Sequence, residues 1–173
     1  IHAFAVIDAI MAKRNIGTRM ADAPFVAGLG PGFTAGRDVH AVVETKRGHT
    51  LGRVIWKGPA IPDTGIPGVV NGFGAERVIR ATGKGMFKGI RSIGEHVEKG
   101  DIVAYAGDNP IPAPISGMLR GLLHDGVIVE KGLKCGDVDP RDIKESCRTI
   151  SDKALAVGGG VLEAVLTAIS TIH

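Results

Sequence analysis

The chain has 173 residues and a net charge of +3, with 44% hydrophobic and 23% charged residues, which is the balance of a globular protein long enough for its own core. Glycine is unusually frequent, with 26 residues beside nine prolines, whereas aromatic residues make up only 4%. Because each interior glycine costs a helix about 1 kcal/mol, the composition excludes a helical bundle and a coiled coil and favours short strands joined by turns.

Charge, cysteine content and hydropathy indicate which classes of partner and which cellular compartment to expect. Lysine and arginine are scattered among acidic residues, so no nucleic-acid partner is expected. The spacing of Cys135 and Cys147 matches neither a zinc pattern nor a disulfide framework, which suits a reducing cytoplasm. No apolar stretch approaches the roughly 18 residues of a membrane span, so no membrane partner is expected. The chain begins with Ile1 and we interpret it as a fragment of a longer protein, so a targeting segment could lie outside it.

Residues 1–80 are predicted to form a region of strands and loops. A short apolar run at residues 3–10 has no helical periodicity and predicts a buried strand. A glycine-rich loop follows at residues 28–36. Residues 39–45 and 51–57 predict the two strands of a hairpin with a basic loop between them. The stretch after the hairpin, to about residue 74, is dense in glycine and proline and predicts an irregular connection.

An internal repeat occupies the middle of the chain. Residues 81–108 align without a gap to residues 113–140, at an offset of 32, and share a Val-Glu-Lys-Gly run. Two copies are too few to stack as a solenoid, so we expect them to pair about a pseudo-twofold axis around one small core. The predicted module spans residues 81–140.

The last region, residues 141–173, predicts a helical segment packed on the rest, with two interpretations. In the first, Ser151 caps a helix that runs to about residue 172. The glycines at 158–160 are unfavourable inside this helix, and close helix packing is the role we expect for them. In the second, residues 154–157 form a strand, the glycines form a turn, and only residues 161–172 are helical. The first interpretation puts five large apolar side chains on one face: Leu155, Leu162, Val165, Leu166 and Ile169.

The repeat resembles the two halves of a biotinyl/lipoyl-type barrel-sandwich hybrid. The resemblance rests on the Ala-Pro-Ile-Ser-Gly run at residues 113–117 and on both Val-Glu-Lys-Gly runs. It implies a β-rich α+β chain, with a barrel-sandwich module of two pseudo-symmetric halves, flanking strands and a C-terminal helix. Carrier domains of this type hold their modified lysine on the hairpin between the halves. The corresponding residues 105–112 contain no lysine, so no biotin or lipoate attachment is expected and the module is interpreted as scaffold.

The whole chain resembles a narrower family. Residues 6–15, 28–36, 44–55 and 149–156 are similar to the selenium-dependent molybdenum hydroxylase system proteins of the YqeB type, and residues 158–164 fit as well. Family members carry an additional N-terminal, nucleotide-binding-like region that is absent here. The resemblance implies a role in maturation or cofactor insertion of selenium-dependent molybdenum hydroxylases. The partner would then be a client molybdenum hydroxylase or a maturation factor. The sequence leaves open whether the chain also forms a homo-oligomer.

The first candidate site is the hairpin loop with Glu44, Lys46, Arg47, His49 and Arg53. Period-two alternation would put Glu44 and Lys46 on one strand face. Arg47 offers a planar fork for phosphate or carboxylate, and His49 can shuttle a proton near neutral pH. A molybdenum cofactor or another anionic ligand would suit such a group, given the resemblance. The alternative is a solvated hairpin tip with ordinary ion pairs.

Two further candidate sites are the glycine-rich loop and one of the cysteines. Gly28, Gly30 and Gly32 could present backbone N–H groups as an anion nest, or could simply form a tight turn, since no P-loop lysine follows. Cys147, beside Arg148 and before the predicted helix, is a candidate reactive thiol that could carry sulfur or selenium, or a small buried cysteine. None of the six histidines has metal-ligand spacing, so no metal site is expected.

Three functions remain open. The leading one is an accessory protein that binds an anionic ligand or the client enzyme near residues 44–53. The second is an enzyme acting on a phosphorylated or selenium-containing small molecule, with His49 as acid and base and Cys147 as nucleophile. The third is a structural connector, for which we expect the loops at residues 28–36 and 44–53 to lie far apart.

Overall fold

The structure is a computed structural model that describes residues 2–172. The outermost positions of the predicted first and last regions, Ile1 and His173, lie outside the described residues. Two compact units divide the chain. The first unit (unit 1) combines the chain up to residue 65 with the segment from residue 150 onwards, and the second (unit 2) spans residues 66–149. Fourteen strands and a single α-helix occur among the described residues, which confirms a β-rich α+β chain.

A four-stranded sheet forms the centre of unit 1. Three of its strands are parallel, and the fourth closes the predicted hairpin as an antiparallel edge strand. The predicted apolar strand and the predicted hairpin are both confirmed. In sheet order, the strands are β1 (Ala5–Asp8), β2 (Phe25–Leu29), β4 (Ala41–Val43) and β5 (Val54–Ile55), and a two-stranded ribbon is formed by β3 (Thr34–Ala35) and β6 (Gly58–Pro59).

Both faces of this sheet are covered, because its side chains alternate with period two. Phe25 and Ala27 point to the helix α1 (Asp152–Ile172), where they pack on Ala164 and Ala168. Val26 and its neighbours on the other face pack on apolar residues of the connecting segments, namely Phe33, Ala35, Val39 and Ala60.

Helix α1 follows the first of its two interpretations. The Ser151 hydroxyl accepts a hydrogen bond from the Ala154 N–H at 3.1 Å, as an N-cap does, and the helix continues through all three glycines. The strand–turn–helix interpretation is therefore wrong. The helix turns small residues to the sheet, while Leu155 is 69% and Leu162 is 59% exposed.

Close packing explains why small residues face inward. A Cβ at Gly160 would collide with the Gly52 carbonyl oxygen, and a Cβ at Gly52 would collide with the Ala156 carbonyl oxygen. Gly158 and Gly159 instead face open space. The predicted close packing is thus confirmed at Gly160 alone.

By length and composition only, α1 is apolar enough over Asp152–Thr171 to cross a membrane. This corrects the expectation that no stretch approaches that length. Two of its three charged residues, Asp152 and Lys153, lie at its start, and the third is Glu163. The sequence analysis therefore underestimated the length of the mostly apolar stretch that follows residue 153.

Two four-stranded sheets enclose the core of unit 2, in the orders β11-β10-β8-β13 and β7-β14-β12-β9. A 3-10 turn, Ala75–Arg77, precedes the first strand of the unit, and a second 3-10 turn, Lys144–Cys147, follows its last strand. The strands are β7 (Val78–Arg80), β8 (Gly85–Gly89), β9 (His96–Val97), β10 (Ile102–Ala106), β11 (Asn109–Pro112), β12 (Gly117–Leu122), β13 (Ile128–Val129) and β14 (Lys134–Asp139).

The internal repeat is visible strand by strand. Strands β8, β9 and β10 begin 32 residues before β12, β13 and β14. The halves exchange one strand each, since β13 pairs with β8 and β9 pairs with β12. Equivalent positions also fill one core, as in the buried pairs Ile79 and Ile111, Phe87 and Leu119, Val97 and Val129, and Val103 and Cys135. The predicted pairing of two halves around one core is confirmed.

Candidate functional site

The carboxyl ends of β1, β2 and β4 meet at one edge of the unit 1 sheet, because these strands are parallel. We call this region the carboxyl edge; it comprises those strand ends and the loops that follow them. Open sheets with parallel strands commonly bind ligands at this edge. Every candidate residue of the hairpin loop and of the glycine-rich loop belongs to unit 1.

The loops of the carboxyl edge touch one another. A Cβ at Gly30 would collide with the Thr45 hydroxyl, and a Cβ at Gly32 would lie 2.5 Å from the Arg14 Cα. The loops at residues 28–36 and 44–53 therefore lie in contact, whereas the connector hypothesis expected them to lie far apart. Gly28 lies under the Phe33 ring, and the Gly30 N–H donates to the Val43 carbonyl at 2.8 Å, so close packing and a tight turn account for these glycines.

Glu44 is buried at the base of the hairpin loop and is only 1% exposed. Its Oε1 accepts hydrogen bonds from the N–H groups of Thr45 and Lys46, both at 2.7 Å, and its Oε2 accepts one from Ile61 at 2.8 Å. Burial of a carboxylate is costly unless its lone pairs are satisfied, and here backbone donors satisfy them. Glu44 therefore fixes the conformation of the loop, because its carboxylate oxygens are occupied by backbone donors.

The other hairpin residues are exposed. We expected Lys46 to share a strand face with Glu44, but β4 ends at Val43 because Glu44 turns inward to the loop N–H groups. Among the described residues, no hydrogen bond or ion pair is made by the side chains of Lys46, His49 and Arg53. The Arg47 guanidinium makes a two-pronged contact with the Asp152 carboxylate at 2.5 and 2.9 Å.

Three cations from distant parts of the sequence lie near enough to one another for their charges to interact, in the region of this contact. We call Lys13, Arg47 and Lys153 the basic cluster. Lys13 follows β1 and forms an ion pair with Asp63 at 2.8 Å. Burial lowers the pKa of the Lys153 ammonium, and the nearby charges of Lys13 and Arg47 lower it further. The carboxylates of Glu44 and Asp63 act on Lys153 in the opposite direction, so the basic cluster lies among acidic groups near the first turn of α1.

The sequence pattern did not reveal Lys13 and Lys153 as site residues. They come from opposite ends of unit 1, so no local spacing connects them. One signal was present, since a lysine in the first turn of a helix opposes the helix dipole. Such an unfavourable placement next to the Ser151 cap could have drawn attention to Lys153.

The cysteines belong to unit 2. Cys135 is buried in β14, and its burial raises the pKa of the thiol. Cys147 is half-buried in the 3-10 turn before α1, with its thiol donating to the Leu119 carbonyl at 3.7 Å. The candidate reactive thiol and His49 therefore lie in different units.

Unit 2 also holds two groups of paired charges. His96 contacts Asp142 at 2.8 Å and Glu98 at 3.1 Å, and these carboxylates raise the pKa of the exposed imidazole. Asp139 is buried under Arg141, whose hydrogen bonds lower the pKa of that carboxyl to about 2. Each acid already faces a cation or a donor, so both groups stabilise local structure.

Two other features were considered as sites. A shallow pocket of about 420 Å³ in unit 1 is lined by Arg19 and Arg37 among others, but the Arg37 guanidinium is occupied by Asp38 at 3.0 Å. Among residues 2–172, no three His, Cys, Asp or Glu side chains are grouped as a metal site would need. The basic cluster remains the stronger candidate.

Comparison with known proteins gives one informative relative. Over 161 residues the chain is 52% identical to the uncharacterized protein YqeB of Escherichia coli (strain K12). This match covers 93% of the chain and 30% of that relative, so the chain spans about 30% of the length of the curated protein it matches. It is homologous to that part of YqeB, which supports the resemblance to the YqeB family. No family model and no solved structure matches the chain.

Proposed function

We propose that this chain is part of a cytoplasmic accessory protein for the maturation or cofactor insertion of selenium-dependent molybdenum hydroxylases, in which it binds an anionic ligand at the carboxyl edge. The pathway rests on the family resemblance. The binding role rests on one observation, which is the convergence of three loops and the first turn of α1 around the basic cluster. A client enzyme with an acidic surface is the second occupant that this edge would suit.

The role proposed for unit 2 is that of a barrel-sandwich scaffold. The strand exchange between its halves supports a biotinyl/lipoyl-like arrangement. The hairpin between β10 and β11 turns at Gly107 and Asp108 and carries no lysine, so a swinging arm has no attachment point there. Unit 2 would then support folding or partner contacts, and unit 1 would hold the ligand.

Binding is better supported than catalysis at this edge. A general base needs a group that orients its ring, and His49 has no such partner among the described residues. The proposed nucleophile, Cys147, belongs to unit 2. Arg47 and the neighbouring lysines, in contrast, need only position to attract an anion.

The test is hydroxylase maturation in cells that lack their own copy of the full-length protein. Replacing Arg47 and His49 together with alanine should abolish maturation, measured as hydroxylase activity and as cofactor content of the purified hydroxylase. A matched double variant, His2→Ala with Lys57→Ala, removes one histidine and one cation from exposed positions of unit 1 and should retain full maturation. Full activity of the Arg47 and His49 variant, with its fold intact by circular dichroism, would overturn the site assignment.

A further inference from the structure

Lys153 differs from the other two cations of the basic cluster. Arg47 and Lys13 each contact a carboxylate, Asp152 and Asp63 respectively. Lys153 is half-buried, and within residues 2–171 no hydrogen bond or ion pair reaches its ammonium group. The buried acid nearby, Glu44, is already satisfied by backbone donors. The cluster therefore contains a cation that no carboxylate contacts, although the charges of Glu44 and Asp63 act on it from farther away.

This arrangement is unfavourable for the free protein. Removing a cation from water, placing it near two others and setting it in the first turn of a helix each disfavour its charge. Burial is the largest cause of the lowered pKa of Lys153 and the charges of Arg47 and Lys13 add to it, while the carboxylates of Glu44 and Asp63 act in the opposite direction. A lysine with a purely structural role would normally gain a partner. An anion at this position would relieve all three costs, so the residue is better explained by a ligand than by folding.

We propose that Lys153, Arg47 and Lys13 form a binding site for a phosphate group, with Lys153 as its central contact. This inference rests on the proposed function and names the ligand class of the same edge. Three cations that approach from three separate segments suit the several oxygens of a tetrahedral dianion better than a planar carboxylate. The start of α1 adds positive partial charge at the same place.

Asp152 acts as the counter-ion of Arg47 when no ligand is bound. The Arg47 and Asp152 side chains are 48% and 71% exposed, and exposed ion pairs contribute little to stability. A phosphate dianion can therefore take the place of Asp152 on the guanidinium fork. Asp152→Asn, which removes this competitor, should tighten phosphate binding several-fold.

The test is calorimetric titration of the full 173-residue chain at low ionic strength with inorganic phosphate, adenosine monophosphate and acetate. Lys153→Met should weaken phosphate binding at least tenfold, Lys153→Arg should retain most of it, and Lys57→Met, at an exposed lysine of unit 1, should leave it unchanged. Acetate should bind more weakly than phosphate. Tighter binding of the monophosphate assigns the site to phosphomonoesters, and equal binding assigns it to free phosphate. No phosphate binding, or equal affinity in Lys153→Met, would overturn the proposal.

Thermal stability without phosphate separates a ligand role from a structural one. Because the folded protein disfavours the charged form of Lys153, Lys153→Met should melt at the same temperature as the unsubstituted chain or higher at pH 7. A clearly lower melting temperature would instead mark Lys153 as a structural residue. The outcomes also differ from those of the cellular test. Phosphate binding that depends on Lys153, with maturation unaffected in cells, would keep the site and remove the accessory role.

Discussion

A buried glutamate on a predicted binding loop would ordinarily be taken for a catalytic group, but Glu44 serves the loop itself. Its two oxygens fix the N–H groups of Thr45, Lys46 and Ile61. The loop base is also closed by backbone hydrogen bonds, from the Glu44 N–H to the Arg53 carbonyl and from the Gly52 N–H to the Glu44 carbonyl, both at 2.9 Å. The position of Arg47 in the basic cluster therefore depends on Glu44 without any contact between Glu44 and a ligand.

Glu44→Gln tests this structural role. The amide keeps the size of the side chain but has one accepting oxygen, so at least one buried N–H loses its partner. A lost buried hydrogen bond to a charged acceptor costs about 2 kcal/mol, and the free energy of unfolding measured in urea should fall by about that amount. Glu163→Gln, at an exposed position of α1, is the control and should change it by less than about 0.5 kcal/mol. Equal stability of the two variants would show that Glu44 has no such role.

Residue types, together with the family resemblance, predicted part of the candidate site. Arg47 was found because it lies in a short basic hairpin loop, and the structure places it in the basic cluster. Lys13 and Lys153 were not found, because their proximity depends on parallel strand order and on helix packing, which local spacing does not contain. Glu44 was predicted to bind a ligand from the same strand face as Lys46, but alternation along β4 stops at Val43 and the Glu44 carboxylate accepts backbone hydrogen bonds instead.

The three consecutive glycines of α1 provide a test at the scale of one element. Gly159→Ala faces open space on an exposed helix surface and should raise the free energy of unfolding by up to about 1 kcal/mol, because alanine restricts the unfolded chain and favours helix. Gly160→Ala places a methyl group against the Gly52 carbonyl oxygen and should lower it, because helix and hairpin loop must move apart. Gly158→Ala is the matched control and should behave like Gly159→Ala. Stabilisation by Gly160→Ala, measured in urea, would contradict this close approach.

Elements with a repeated pattern could be predicted well from the sequence. The 32-residue offset gave equivalent strands in the two halves, and it also explains why Cys135 is buried, since it occupies the position of Val103 in the other half. Helix α1 could be predicted from its cap and apolar content. Which of its faces is buried could not, because the leucines dominate its hydrophobicity whereas the tight approach at Gly160 admits only small side chains. The exchange of β9 and β13 between the halves depends on long-range pairing.

At the scale of the whole chain, unit 1 is discontinuous in sequence. Residues 66–149 are inserted between its sheet and its helix, and the two units have separate hydrophobic cores. The sequence predicted that the last segment packs on the rest of the chain, but it did not indicate that its partner is the sheet at the start of the chain. Strand β7 illustrates the same limit, because it precedes the repeat yet pairs with β14 at the end of unit 2.

This organisation predicts that unit 1 keeps its fold and its ligand site without residues 66–149. All three cations of the basic cluster belong to unit 1, and Asp63 is near enough to Lys153 to act on its charge. We expect the chain ends that flank the insertion to lie near enough for a short glycine-serine linker to join them at a small entropic cost.

The shortened chain should remain helical by circular dichroism, unfold cooperatively and bind phosphate within about threefold of the full chain. The matched control is the same shortened chain with Lys153→Met, which should fold but lose binding, because the basic cluster is then incomplete in an otherwise unchanged unit. A folded shortened chain without affinity for phosphate would show that residues 66–149 contribute to the ligand site, and the assignment of binding to unit 1 alone would be wrong.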